Sequence, residues 1–237
     1  MRAISILGST GSIGCNTLNV VRLHPDKFRI FALSSYTNTD LLCAQAIEFR
    51  PSVIVTKDAI SAKKIHGLIK NTYTPEILHG LSGYRYIAGA NEATDIVAAI
   101  SGSAGLLPTM DAIIHGKKIL LANKEAMVMA GSLMIDSCSK FNAKLIPVDS
   151  EHNAIFQIIH SNSNNNAINK IILTASGGPF RDFTIDQLSN VTVDEALNHP
   201  NWVMGKKITI DSATMMNKVF EVIEAKNIFN VGYKKLD

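Results

Sequence analysis

The chain has 237 residues, 46% of them hydrophobic and 18% charged, with a formal net charge of +3. That length buries a sizeable core in one large domain or two small ones. The composition excludes a disordered or fibrous chain, and so small a net charge gives no basis for expecting a nucleic-acid or membrane partner.

Cys15, Cys43 and Cys138 are odd in number and scattered, with no Cys-X-X-Cys motif. Free thiols in a reducing compartment are expected, not a disulfide framework. The N-terminus runs straight into a strand pattern, so no signal peptide is expected. The uncharged, apolar-rich stretch Ile96 to Met110 carries Gly, Ser and Pro. It is shorter than the ~20 apolar residues of a membrane span, so a cytoplasmic protein is expected.

Ala3-Ile4-Ser5-Ile6-Leu7 reads as a buried strand, Gly8-Ser9-Thr10-Gly11-Ser12-Ile13-Gly14 as a glycine turn, and the residues through Val20-Val21 as a helix. This is the context of a dinucleotide-binding turn: sharp reversal at Gly8, backbone approach to a pyrophosphate at Gly11, helix–strand packing at Gly14. The unpaired N–H groups of the helix N-terminus then face phosphate. The spacing Gly-X-X-Gly-X-X-Gly differs from the commoner Gly-X-Gly-X-X-Gly, and a βα turn that binds nothing is the alternative. Arg29–Leu33 is the second strand. Its end, Ser34-Ser35-Tyr36-Thr37-Asn38, carries no carboxylate before Asp40. That permits a cofactor with a 2′-phosphate, which a carboxylate there would repel.

Leu41–Phe49 is helical in period and ends at Arg50-Pro51. Val53–Val55 is a strand and Ala59–Ile69 a helix; Thr72–Gly89 carries no clear period. Ile96–Ile100 is a strand, followed by Gly102-Ser103-Ala104-Gly105 and a helix through Ile114. Lys118–Leu121 is a strand, Asn123-Lys124-Glu125 opens a helix, and Lys144–Ile146 is a strand. Such alternation predicts an α/β fold, a Rossmann-like doubly wound parallel sheet, whose ligands bind beyond the C-terminal strand ends. Lys124 stands there as a lone cation at a helix N-terminus, where the dipole disfavours it.

Pro147-Val148-Asp149-Ser150-Glu151-His152 follows the last of these strands. In extended backbone Asp149 and Glu151 point to the same side and converge, and two such carboxylates call for a proton or a hard divalent cation between them. The alternative is that Asp149 and Ser150 cap a helix reaching His160, with Glu151 in its first turn.

Beyond this point the texture changes, and an α+β catalytic domain is expected. His160–Asn169 reads as a solvated loop and Lys170–Thr174 as a strand. Ser176-Gly177-Gly178 can offer a hydroxyl and two amides to an anion, or be an ordinary turn. Trp202 sits among Pro200, Asn201 and Gly205 on what reads as a loop and can serve as a lid. From Met215 to Ile228 the period is helical, which puts Asn217, Lys218 and Glu221 on one face.

These motifs resemble the 1-deoxy-D-xylulose 5-phosphate reductoisomerase family. The likeness runs from the Gly8–Gly14 turn through Leu120-Leu121-Ala122-Asn123-Lys124-Glu125-Ala126, Pro147–His152 and Ser176–Phe180 to His199-Pro200-Asn201-Trp202 and Ile210–Glu221. It implies an NADPH-binding domain over 1–149 and a catalytic, metal- and substrate-binding domain over 150–237. It further implies Mg2+ or Mn2+ on Asp149, Glu151 and Glu221, with Lys124 and these acids as the catalytic set. Ser150 and Lys124 would meet the ketone and hydroxyl end of a phosphorylated sugar. Ser176, His199, Ser212, Asn217 and Lys218 would surround its phosphate, and Trp202 with Met204 would close over it. Thr10, Gly11, Ser12, Ile13, Asn38, Asn123, Glu125 and Gly205 would meet NADPH.

The implied reaction is metal-assisted rearrangement of 1-deoxy-D-xylulose 5-phosphate to an aldehyde, then hydride reduction to 2-C-methyl-D-erythritol 4-phosphate, in non-mevalonate isoprenoid biosynthesis. The family is homodimeric. It has Gly-Lys-Asn where this chain has Tyr36-Thr37-Asn38, and it continues into a C-terminal helical domain beyond the point where this chain stops, Asp237. A truncated remnant or nucleotide-binding module of the same fold, or a simple NADP-dependent dehydrogenase, are the competing expectations.

Overall fold

Every strand in the first half of the chain runs the same way. In the computed structural model, which describes residues 1–161 and 168–237, the chain divides into two units, Met1–Asp149 and Ser150–Asp237. The first is built in order from β1 (Arg2–Leu7), α1 (Ser12–Leu23), β2 (Phe28–Ser34), α2 (Thr39–Phe49), β3 (Val53–Thr56), α3 (Ala59–Ile69), β4 (Glu76–His79), α4 (Gly80–Gly89), β5 (Asp95–Ala98), α5 (Leu106–Ile114), β6 (Lys118–Leu121), α6 (Lys124–Lys140) and β7 (Lys144–Pro147). The strands form one parallel sheet in the order β4-β3-β2-β1-β5-β6-β7. The order reverses between β1 and β5, so the switch point of this doubly wound sheet lies where their carboxyl ends diverge.

The strands are apolar runs because helices cover both faces. Ile6, Leu33, Ile54, Ile96 and Ile119 are fully buried, each worth roughly 1.5–3 kcal/mol over an exposed position. The helices start where side chains cap them. Asn38 accepts from Leu41 N at 3.1 Å, Asp58 from Ser61 N at 2.8 Å, and Asn123 from Ala126 N at 3.0 Å. The helix α2 ends on Arg50 at φ 45°, just before Pro51. Thr72–Gly89, which carried no period, holds β4 and α4; the strand is only four residues long and half exposed, too little for alternation to register. The helix α6 breaks its regular geometry at Ala130 (φ −142°), beside the Gly131-Ser132 pair.

The described residues of the second unit include α7 (Ser150–Ser161), α8 (Ile185–Leu188), α9 (Val193–Ala196), α10 (Lys206–Ala213) and α11 (Met216–Phe229). Lys170–Thr174, expected as a strand, makes a single parallel bridge, Ile171 with Leu236. It is held by Ile171 N to Lys235 O (2.8 Å), Leu173 N to Asp237 O (2.7 Å) and Asp237 N to Ile171 O (3.0 Å). With so short a partner the run is extended but forms no longer ladder. Residues 162–167, the centre of the expected solvated loop, lie outside the described residues. No helix among the described residues is long and apolar enough to cross a membrane.

Candidate active site

All seven strands are parallel, so their C-terminal ends share one edge of the first unit. At that edge Gly8 has φ +89°, and a Cβ on it would lie 2.8 Å from the Ala99 carbonyl of the neighbouring loop. A Cβ on Gly14 would lie 2.4 Å from Gly8 O. Both positions are closed by the protein's own backbone. Gly11 is different: it precedes α1 with ordinary extended backbone (φ −78°), and a Cβ there would meet nothing nearer than Gly8 O at 3.5 Å. The fold does not need a glycine at Gly11, whereas a phosphate resting on the start of α1 does. On this test the turn fits a dinucleotide.

The other expected cofactor residues of this unit lie on the same edge. Thr10 Oγ1 is 2.7 Å from Ser35 Oγ, which ties the glycine turn to the end of β2. Ser12 and Ile13 open α1, and Asn38 caps α2. Asn123 is buried, caps α6 and donates from Nδ2 to Gly102 O at 2.9 Å; Glu125 lies in the first turn of that helix. Ser9, Ser34 and Gln45 form a buried polar network under the turn, with Ser9 Oγ to Gln45 Oε1 at 2.7 Å. No sequence signal pointed to that network, because isolated Ser and Gln residues carry no motif.

Lys124, expected as a lone cation, is ion-paired: its Nζ is 2.6 Å from Asp149 Oδ2. The carboxylate offsets the unfavourable position of an ammonium at a helix N-terminus.

In the second unit Glu151 lies in the first turn of α7. The expected extended geometry for the acidic motif is therefore corrected: after Asp149 the backbone turns helical, as the alternative reading had it. Ser150 Oγ donates to Glu151 Oε2 at 2.7 Å. Burial pushes the Glu151 carboxyl up, but the Ser150 hydroxyl, a backbone amide and the Lys218 ammonium outweigh it and hold the group below its ordinary value. Glu151 and Glu221 bring carboxylate oxygens within 4.8 Å of each other. Lys218 lies between them, with Nζ 3.3 Å from Glu151 Oε1 and in contact with Glu221 Oε2 and the Thr174 carbonyl.

Asn217 donates to Glu221, so Asn217, Lys218 and Glu221 do share one face of α11. Glu221 is only 1% exposed, so Lys218–Glu221 is not a solvated surface pair. Two clustered carboxylates compensated by one ammonium are a donor set that suits a hard divalent cation.

Glu151, Ser176, Gly177, Ser212, Asn217 and Lys218 line one cavity of about 50 Å³. Gly178 has φ +69°, and a Cβ there would lie 2.6 Å from Ser212 O; the Ser-Gly-Gly turn packs on α10 through that missing side chain. His199 is buried. Its Nδ1 accepts from Asn201 N (3.2 Å) and Trp202 N (3.1 Å), which leaves Nε2 as the N–H that donates to Ser176 Oγ at 3.0 Å. Gly178 N also points at Ser176 Oγ, at 3.4 Å. With two donors already on its oxygen, the Ser176 hydroxyl is left to donate its own hydrogen to an acceptor such as a phosphate oxygen. Trp202 does not line the cavity: it is 65% exposed on the stretch after His199, and Gly205 precedes α10 as its N-cap. Neither α10 nor the role of His152 was legible in the sequence. His152 is fully buried, with Nε2 2.9 Å from the Glu221 backbone carbonyl and Nδ1 3.7 Å from Glu224 Oε2; its place directly after Glu151 was the one available hint.

Two family models cover this chain. The model for 1-deoxy-D-xylulose 5-phosphate reductoisomerase matches residues 4–131, more than half of the sequence. The chain belongs to the 1-deoxy-D-xylulose 5-phosphate reductoisomerase family. The model for that family's C-terminal domain matches residues 145–229. Among curated relatives, the reductoisomerases of Pelodictyon phaeoclathratiforme and Chlorobaculum tepidum are 52% and 50% identical over 236 residues. Both cover all of this chain, which spans 61% of their length.

A crystal structure of DOX-P reductoisomerase in complex with NADPH, fosmidomycin and magnesium superposes with a TM-score of 0.93 at 44% identity; all of this chain matches 60% of that one. The Zymomonas mobilis reductoisomerase in complex with NADPH gives 0.91 at 39%, again with 60% of its chain covered. The family's fold, with its parallel sheet and flanking helices, is thus established for this chain.

Proposed function

We propose that the protein acts as an NADPH- and divalent-metal-dependent oxidoreductase and isomerase, converting 1-deoxy-D-xylulose 5-phosphate to 2-C-methyl-D-erythritol 4-phosphate. The observation that carries the reading is the cavity lined by Glu151, Ser176, Ser212, Asn217 and Lys218, in a chain about half identical to named reductoisomerases. Met1–Asp149 would hold NADPH on Thr10, Gly11, Ser12, Ile13, Asn38, Asn123 and Glu125, and the second unit would add Gly205. Asp149, Glu151 and Glu221 would hold Mg2+ or Mn2+. Glu151 and Glu221 already approach each other, and Asp149 stands two residues from Glu151 along the chain. Bound there, the ion supplies Lewis acidity toward a ketone and its neighbouring hydroxyl.

The protein's own groups divide the substrate between them. Ser176, His199, Ser212, Asn217 and Lys218 bind the phosphate, with His199 acting through the Ser176 hydroxyl. Ser150 and Lys124 orient the reacting end. The cavity of about 50 Å³ is far below the ~300 Å³ or more that encloses a small ligand. Substrate must therefore widen it and be covered from outside, a task for Trp202 and Met204. A homodimer in the cytoplasm completes the reading, supported by the resemblance and by three free thiols suited to a reducing compartment.

The test is NADPH oxidation by this chain with 1-deoxy-D-xylulose 5-phosphate, with and without Mn2+, followed by product analysis. Metal-dependent formation of the branched polyol phosphate is expected. An unbranched reduced sugar, or no turnover under any condition, would contradict it.

A further inference from the structure

A 2′-phosphate on an adenine ribose needs a cation near the end of β2, because the second strand of a dinucleotide-binding sheet is where the ribose 2′ position is read. This chain has none on that strand end: the residues are Ser35, Tyr36, Thr37 and Asn38, where the resemblance places a lysine at position 37. The nearest acid on the same connection, Asp40, is neutralised by Lys64 at 2.6 Å. The strand end is therefore neutral on its own account.

A cation reaches it from the next strand. β3 pairs with β2 in parallel, Ser34 opposite Val55, and Ser35 N bonds to Val55 O at 3.1 Å. Lys57 immediately follows β3, and its Nζ lies 5.9 Å from the centroid of the Tyr36 ring, within the range of a cation–π contact. Tyr36 is 70% exposed, so its face is available as a platform on which the ammonium rests. The segment beneath is fixed on two sides, by Tyr84 Oη donating to Ser35 O at 2.9 Å and by Thr10 Oγ1 against Ser35 Oγ at 2.7 Å. The second of these contacts joins it to the glycine turn. Among the described residues Lys57 pairs with Asp58, whose Oδ2 lies 3.7 Å from Nζ while its Oδ1 caps α3 through Ser61 N at 2.8 Å; at that distance the pair is loose enough for a phosphate to compete for the ammonium. The N-terminus of α2, capped by Asn38, adds a second favourable field for an anion.

We propose that Lys57, held over Tyr36, is the specificity-determining residue that selects NADPH over NADH in this chain, replacing from β3 the cation that β2 lacks. The inference rests on the cofactor reading of the preceding section. A phosphate–ammonium contact of this kind is charge-assisted and exposed enough to be screened by salt.

The test is titration calorimetry of the 237-residue chain with NADPH, NADH, 2′,5′-ADP and 5′-AMP, for the wild type, Lys57→Ala, and Lys57→Ala combined with Thr37→Lys. Lys57→Ala should weaken NADPH and 2′,5′-ADP roughly tenfold and leave NADH and 5′-AMP unchanged. Thr37→Lys in that background should restore most of the loss, which a merely structural role for Lys57 would not allow. Unchanged NADPH affinity in Lys57→Ala, or equal losses for all four ligands, would overturn the proposal while leaving the cofactor reading intact. A wild-type chain that binds neither dinucleotide would overturn both.

Discussion

The Lys124 ammonium and the Asp149 carboxylate, 25 residues apart in sequence, meet at 2.6 Å and join the start of α6 to the second residue beyond β7. Both are largely buried, at 11% and 17% side-chain exposure. If Asp149 is a metal ligand, Lys124 competes with the ion for it. Lys124→Met should therefore raise the affinity for Mn2+ by about tenfold, taking the charge-assisted contact at about 1.5 kcal/mol, while turnover falls. Calorimetric Mn2+ titration of the two proteins checks this; equal or weaker binding in the variant would remove Asp149 from the ligand set.

The glycine turn separates folding from binding. Gly14→Ala puts a Cβ 2.4 Å from Gly8 O and 2.5 Å from Ser9 Cα, backbone atoms that cannot step aside, and should cost about 1–3 kcal/mol of stability. Gly11→Ala meets nothing closer than 3.5 Å. It should leave the melting temperature nearly unchanged and weaken NADPH at least tenfold. Thermal melts alongside NADPH fluorescence titration decide the point.

His199 and Ser176 should act as one unit. Ser176→Ala and His199→Ala are each expected to weaken binding of the phosphorylated substrate by about tenfold, and the double variant by little more than either alone, because the imidazole works through the hydroxyl at 3.0 Å. Additive losses would mean that His199 meets the phosphate independently.

Two phenols report on the first unit. Burial pushes Tyr84 and Tyr73 up to about 12. For an acid whose folded value is raised, the stabilisation is fully present below the unfolded value near 10 and is lost as pH rises through about 12. Ultraviolet titration should show these two phenols ionising only near pH 12. Tyr84→Phe should cost about 1 kcal/mol at neutral pH, the hydrogen bond to Ser35 O, and flatten the alkaline loss of stability.

Much of this architecture is written locally. β1, α3 and β6 follow from apolar runs and caps, since parallel strands covered on both faces carry continuous Ile, Val and Leu. The glycine turn is legible because backbone contact excludes side chains at two of its three positions. The fate of Glu151 was not legible, since Asp149-Ser150-Glu151 serves equally as a strand end or a helix start, and packing decides it. The Lys124–Asp149 pair, the imidazole of His199 beneath Ser176, and the approach of Lys57 to Tyr36 are contacts across separate elements. Spacing along a single chain does not encode them.

The proposed metal site has Asp149, Glu151 and Glu221 holding one divalent cation. Mn2+ titration followed by electron paramagnetic resonance, on the wild-type chain and on Glu221→Gln, tests it most directly. One bound Mn2+ per chain, lost or weakened at least tenfold in Glu221→Gln with the fold intact by circular dichroism, is the expected result. Mn2+ bound equally well by the variant would contradict the claim.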